Sequence, residues 1–255
     1  MKKNSIDLPS CTPSFSSVVS GISKGQTWFD NETDPRVAIA YSYCVGGYSI
    51  LGVPITDAEM EEFLEGRVFS YLKKNDKKYF EFSTENEFFS EQVLRIYSGR
   101  DIKSELEYSF IKDDMLMNES SLHEDYLLEQ ITLKNVDRYM DYPMLRDRLE
   151  NSWYSISDFL EISIGFVALR EKEVIGICFG SAVYNNVIAV DIEVLKEHRK
   201  KGIAVNLAQK FINKAIMRNY TVHWDCTESN IASRKLAEKC GMKLVKSRPF
   251  YWFKV

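Results

Sequence analysis

Metal chemistry has no visible ligand set in this sequence. Its three histidines, His123, His198 and His223, lie far apart, and its five cysteines form no C-x-x-C pair. Cys11, Cys44, Cys178, Cys226 and Cys240 are odd in number and scattered, the usage of reduced thiols in a cytoplasm rather than of a disulfide frame. No run approaches the roughly 18–20 apolar residues of a membrane span. The opening MKKNSIDLPSCTPSF lacks the apolar core of about seven residues that a secretory signal needs. Two phosphate-binding signatures are also missing. Without G-x-x-x-x-G-K-[ST] the chain is no Walker-type NTPase, and without G-x-G-x-x-G after a first strand it has no dinucleotide fingerprint. The net charge of −4 argues against non-specific nucleic-acid binding and fits a neutral or cationic partner.

What is present is an ample core, 45% hydrophobic residues over 255 positions, arranged as alternating strands and helices. TWFDNETDPRVAIAYSYCVGGYSILGVP reads as a strand, a turn at Asn31–Pro35, and two strands hinged at Gly46–Gly47. Thr56 then opens a helix whose Met60, Phe63, Leu64, Val68, Tyr71 and Leu72 share one face. KKYFEFS, ENEFFSEQVLRIYSG and SELEYSFI give strand, helix, strand. After the polar stretch KDDMLMNESSLHED the order recurs: a strand at YLLEQITL, a helix broken at Pro143, and a hairpin turning at Glu171–Glu173. A buried strand VIAVDIEVL, a helix from Gly202, a strand TVHWDC, a helix stopped by Gly241, and the strands MKLVKS and FYWFKV complete it. This divides the chain into a 1–122 α/β lobe and a 123–255 domain, the first repeating the element order as a degenerate copy of the same fold would.

HRKKGIAVNLAQKF is the stretch that carries chemistry. Arg199, Lys200 and Lys201 crowd against Gly202, and Ile203, Ala204 and Val205 begin an apolar-striped helix. Glycine takes backbone angles closed to other residues and leaves room for a ligand. A helix start offers unpaired N–H groups and the positive end of the dipole. Taken alone, the loop is equally a solvated basic turn.

It is not alone. R-x-x-G-x-A after a strand, followed about 26 residues later by SNIASRKLAEKCGM, resembles the GNAT superfamily of acyl-CoA-dependent N-acetyltransferases. Arg199, Gly202 and Ala204 match its first motif; Asn230, Ser233, Gly241 and Met242 match its second. GQTWFD and DPRVAIA resemble, more finely, the two-lobed bacterial zwittermicin A resistance acetyltransferases. The resemblance implies a mixed, mostly antiparallel α/β (α+β) sheet flanked by helices, and acetyl-CoA as cosubstrate without a metal. It implies pyrophosphate on the amides of Lys201, Gly202, Ile203, Ala204 and Val205, with Arg199 and Lys200 of the same loop also at the cofactor, and the pantetheine arm along Glu193, Val194 and Leu195. Asn230 and Ser233 would lie beside the arm. The 1–122 lobe has no such loop and is expected to hold no coenzyme A.

Direct attack by an amine needs a base, a polarised carbonyl and a proton for the thiolate. Asp225 is the first candidate base, since ribosomal-protein alanine acetyltransferases place a glutamate there. Glu193 is the second, demoted because Asp191 and Glu193 share a strand face opposite Ile188, Val190 and Ile192, the parity on which relatives carry their bases. The backbone N–H near Val194 is the expected oxyanion donor. Cys226 faces away from Asp225 and reads as core, whereas His223 shares its face. Many relatives carry an acidic tyrosine where this chain has Ala237, which leaves water, Tyr184, Tyr251 or Ser233. The expected activity is transfer of acetyl to a small-molecule amine in a ternary complex, with no nucleic-acid or membrane partner and room for a homodimer. The alternatives are a non-catalytic acyl-CoA sensor and a protein or peptide N-acetyltransferase.

Overall fold

The computed structural model describes residues 6–117 and 120–255. The first five residues, on which the leader reading partly rests, and Asn118 and Glu119 of the polar stretch lie outside the described residues. Among the described residues no helix is long and apolar enough to cross a membrane.

Helix α1 (Pro13–Val19), which the sequence pattern did not announce, opens the chain with proline in its first turn. An antiparallel meander follows: β1 (Gly25–Phe29), β2 (Val37–Ser42) and β3 (Gly47–Gly52). Both finely matched motifs do structural work in its first turn. Asp30 Oδ1 accepts the N–H groups of Arg36 and Val37, each at 2.9 Å, and Trp28 packs edge-on to Tyr71. The helix predicted after Thr56 forms in three parts: α2 (Asp57–Phe63), a π-helical turn over Leu64–Phe69, and α3 (Ser70–Lys74). The wider turn shifts the register, so Phe69 rather than Tyr71 joins Met60, Leu64, Val68 and Leu72 in the core.

β4 (Tyr79–Phe82), α4 (Glu87–Ile96) and β5 (Lys103–Lys112) complete the first half. The second half runs β6 (Leu127–Gln130), α5 (Val136–Met140), α6 (Pro143–Ser152), α7 (Ile156–Ile162), β7 (Gly165–Arg170), β8 (Glu173–Tyr184) and β9 (Val187–Val194). It ends with α8 (Ile203–Met217), β10 (Thr221–Thr227), α9 (Ile231–Lys239) and β11 (Lys243–Lys254). The predicted break at Pro143 is the α5–α6 junction, and Glu171 and Lys172 make the β7–β8 turn with positive φ. MKLVKS and FYWFKV, expected as two strands, are one strand carrying a bulge between Leu244 and Lys246.

All eleven strands form one sheet, in the order β1-β2-β3-β4-β11-β5-β10-β9-β8-β7-β6. Among the described residues, only β3–β4 and β9–β10 pair in parallel. Each half hands its last strand to the other: β5 lies beside β10, β11 lies beside β4, and β5 and β11 pair at the centre. The two limbs curve toward each other, and α1 touches β2 and β3 on one limb and β8 and β9 on the other. Helix α8 covers the opposite face of the second limb, where Leu207, Ala208, Phe211, Ile212 and Ala215 are fully buried. The polar stretch is laid along α8 by amide side chains: Asn213 Oδ1 accepts from Leu116 N–H, and Gln209 Oε1 from Ser120 N–H, both at 2.8 Å.

Candidate functional site

The parallel pair β9–β10 holds together only at its start. Thr221, Val222 and His223 lie opposite Val187, Ile188 and Ala189, and beyond that point the strands part. The opened edge belongs to residues 190–194 on one side and 224–227 on the other. β9 remains zipped to β8 throughout, with Leu195 N–H donating to the Ile175 carbonyl at 2.9 Å. Antiparallel alternation therefore directs the N–H groups of Ile192 and Val194 into the gap, and that of Glu193 toward β8. The N–H of Val194, the expected oxyanion donor, thus faces the gap. Leu195 is not free in the same way, since its carbonyl also accepts from His198 N–H.

Beside the gap the basic loop turns through Lys200 (φ 60°) and Gly202 (φ 80°, ψ −8°) into α8. No described backbone or side-chain group accepts a hydrogen bond from the amides of Lys200, Lys201, Gly202, Ile203, Ala204 or Val205. Gly202 is required for its left-handed backbone rather than for space, because a Cβ there would meet only Asn206 Nδ2 at 3.8 Å. Lys200 and Lys201 are exposed. Arg199 is used differently from its neighbours: its Nε donates to the Val194 carbonyl at 2.9 Å, tethering the loop to the end of β9. Free amides, a helix dipole and two free cations at one point suit a diphosphate.

The second motif lies across the gap. Asn230 caps α9, its Oδ1 accepting from Ser233 N–H at 3.1 Å, and Ser233 Oγ accepts from Trp224 Nε1 at 2.9 Å. Cys226 is buried on this same face, its thiol pushed up to about 11 by burial. Ala237 is fully buried in the core. Of the other acid candidates, Tyr251 lies on β11 with its ring tilted against Phe82 of β4, and Tyr184 ends β8 opposite Val187, where the gap is closed. Ser233 alone stands in the helix that flanks the gap.

The opposite, concave face of the gap is charged. Asp191, Glu193, His223 and Asp225 all point there, as the parallel register requires. Arg148 of α6 binds Asp191 at 2.6 Å and takes Glu193 through Nε at 2.9 Å. Asp225 accepts from the Ser109 hydroxyl, lies 2.9 Å from His223 Nε2 and 3.6 Å from Arg248 Nη2. Burial opposes its ionisation, but the close approach of His223 and Arg248 and the hydrogen bond from Ser109 outweigh it. They hold its carboxyl well below the usual carboxylate range. A carboxylate so stabilised is a weak base, so this first-choice base is placed where it anchors charge.

Sequence reasoning missed the residues that surround it. Arg248 Nη2 is 2.7 Å from Glu107 Oε2, and its Nη1 meets Glu85 and, at 3.0 Å, Ser109. Lys246 Nζ also binds Glu85, at 2.7 Å. A cavity of about 240 Å³ opens beside them, bordered by Ser10, Cys11, His223, Lys246 and Arg248. Glu107 and Ser109 sit on β5, in the other half of the sequence, and no spacing rule links them to β10. The strand exchange is what brings them together.

The GNAT acetyltransferase family model matches residues 5–251. The uncharacterized N-acetyltransferase YdfB of Bacillus subtilis is 32% identical over 103 residues, 40% of this chain and 40% of that protein. The chain thus aligns with less than half the length of that curated relative. Among solved structures, a GCN5-related N-acetyltransferase-like protein of Streptococcus suis superposes with TM-score 0.64 and 21% identity, over 90% of this chain and 88% of that one. A tandem GNAT protein from the clavulanic acid biosynthesis pathway gives TM-score 0.62 at 10% identity, over 98% and 90%. These likenesses agree with the mixed, mostly antiparallel sheet and its flanking helices. With parted strands, a free-amide loop and a family match across nearly its whole length, the chain belongs to the GNAT acetyltransferases.

Proposed function

We propose that the protein is a cytoplasmic, acetyl-CoA-dependent N-acetyltransferase that acetylates a primary amine of a small molecule by direct attack in a ternary complex. The observation that carries this reading is the row of unpaired amides from Lys200 to Val205, set beside strands that part after His223. Those amides, with Lys200 and Lys201, would hold the pyrophosphate, while the N–H groups of Ile192 and Val194 and the cap residue Asn230 would line the arm. When bound, acetyl-CoA supplies an activated acyl thioester. Val194 N–H then serves as the donor to the carbonyl oxygen. Ser233, whose hydroxyl accepts from Trp224 Nε1 and lies within hydrogen-bonding reach of the Cys226 thiol, would serve the leaving thiolate.

The acceptor enters from the concave face, where Asp191, Glu193 and Asp225 draw an ammonium. Division of labour between a 1–122 half without cofactor and a 123–255 half that binds it is supported by helix α2. Its start is closed by the Thr56–Glu59 capping box and carries Asp57 and Glu59, which repel a phosphate. The covering of the concave face by the N-terminal half, and the motifs around Asp30, support the small-molecule, zwittermicin-resistance-like reading over a protein acceptor.

The test is coenzyme A release from acetyl-CoA across an amine panel, with initial velocities measured against both substrates. Intersecting lines and loss of turnover in Gly202→Glu are expected. Unchanged turnover in that variant would end the loop assignment. The fully buried Ala237 favours one competing reading, an acyl-CoA sensor; calorimetric binding with no turnover on any amine would establish that instead.

A further inference from the structure

We propose that Phe250 and Trp252 form a second acceptor subsite, which seats a cationic group remote from the nitrogen being acetylated. The inference rests on the transferase reading above and adds a substrate class to it: an elongated amine with a second positive charge. Both side chains lie on β11 at the alternation of Arg248, so they face the same concave side as Asp225. Their ring centroids are 5.9 Å apart, the planes are inclined by 35°, and both residues are half-buried. Aromatic faces left partly open beside carboxylates attract an ammonium through the ring quadrupole.

The neighbouring strands supply those carboxylates. β4 sets Glu81 directly opposite Trp252, and β5 sets Glu105 directly opposite Phe250. Directly opposed residues share a face, with Cβ atoms about 5 Å apart. Among the described residues no Lys or Arg pairs with Glu81 or Glu105, and none lies over either ring. Lys103, on the other side of Trp252, pairs with Asp101 at 3.8 Å. Glu105 Oε2 accepts from Ser229 N–H at 3.1 Å, which ties this carboxylate to the loop just before Asn230.

The ring pair and the gap belong to one cleft. The β2–β3 turn touches both: Cys44 Sγ is 3.9 Å from Asp191 Oδ2 on the gap edge, and a Cβ at Gly47 would meet Phe250 Cε2 at 3.9 Å. Across the floor, Thr227 at the open end of β10 lies opposite Glu107, and Glu107 lies opposite Arg248, two residues before Phe250. From β10 to β11 is two strand spacings, about 10 Å. That is the separation expected between the acetylated nitrogen and the second cation.

The experiment follows coenzyme A release with linear diamines of increasing length and with monoamines of the same lengths, in wild type, Trp252→Leu, Trp252→Phe and Glu81→Gln. In wild type, kcat/KM should favour diamines over matched monoamines by about tenfold. The preference should peak where the extended nitrogens lie about 10 Å apart. Trp252→Leu should remove most of it by raising KM for the diamine, with monoamine turnover and the KM for acetyl-CoA unchanged. Trp252→Phe should keep part of it, and Glu81→Gln should reduce it about threefold, the order of one half-exposed ion pair. Equal use of diamines and monoamines by wild type, or a full preference surviving in Trp252→Leu, overturns the subsite and leaves the transferase reading in place. Should Trp252→Leu fail to fold, an unchanged preference in Glu81→Gln overturns it as well. Absence of turnover in wild type with every amine would instead overturn the transferase reading, and this one with it.

Discussion

Arg199 Nε and the Val194 carbonyl, 2.9 Å apart, join the basic loop proposed to hold acetyl-CoA to the strand edge where acyl transfer would occur. The bond couples two requirements that the fold meets separately, phosphate binding at a helix start and a gap between parallel strands. Arg199→Lys keeps the charge but loses the fixed Nε geometry. Weaker acetyl-CoA binding is expected, by roughly fivefold, within the worth of one hydrogen bond to a neutral acceptor. Calorimetry at constant ionic strength checks it; wild-type affinity would mean that charge alone matters at this position.

Gly202→Ala isolates the backbone contribution. The site has room for a methyl group, so the expected loss is conformational, about 1–2 kcal/mol for a non-glycine residue in the left-handed region. Melting temperature should fall without ligand, and acetyl-CoA should restore less of it than in wild type. An unchanged melting curve would show that the loop relaxes at no cost.

Removing both loop lysines, in Lys200→Ala with Lys201→Ala, is expected to weaken acetyl-CoA binding about tenfold, the order of one charged hydrogen bond. The dependence of affinity on salt should flatten as well, because screened charges are what the variant lacks. A steep salt dependence that survives would place the phosphate elsewhere.

Asp225→Asn tests the charged cluster through stability. The folded pKa of Asp225 lies below its unfolded value of about 3.9. Its stabilisation is therefore complete above that value and is lost as pH falls through the folded one. At pH 7 the variant should lose about 3 kcal/mol, the cost of taking one ionic partner from the buried Arg248. That corresponds to a melting point lower by roughly 6–12 °C. The difference between variant and wild type should shrink below about pH 4. A difference independent of pH would mean that the residue acts by packing alone.

Ala237→Tyr would place a tyrosine where many relatives have one. Because Ala237 is fully buried, the ring must displace core side chains, at a cost of typically 1–3 kcal/mol or more. Lower thermal stability with no gain in turnover is expected. A variant that is stable and faster would show that the helix can present an acid to the gap after all.

Much of the fold was legible because it depends on local pattern. Alternation marked β1 to β3 and β7 to β9, Gly202 marked the start of α8 and Gly241 the end of α9, and Pro143 marked a break. What escaped was short or depended on partners. Helix α1 has only seven residues, and the π-helical turn at Leu64–Phe69 answers to packing around Phe69. The loop residues Lys200 to Val205, proposed to hold phosphate, could be picked out because they are contiguous in sequence. Glu107, Glu85 and Arg248 could not, since they come from three separate segments.

The order of residues by itself settled which backbone amides would be left unpaired, since a glycine-initiated helix after a strand leaves them so wherever it is placed. It settled equally which side chains share a face of β9 and β10, because alternation is a property of any extended chain. Only the tertiary structure decided what stands opposite them. The exchange of β5 and β11 between the halves puts Glu107 and Arg248 against Asp225 and turns an expected base into a held anion. The reason is physical: a carboxylate's basicity is set by the charges and solvent around it in space, and these come from β10 itself, from β11 and from β5, the last contributing Ser109, 116 residues away in the chain.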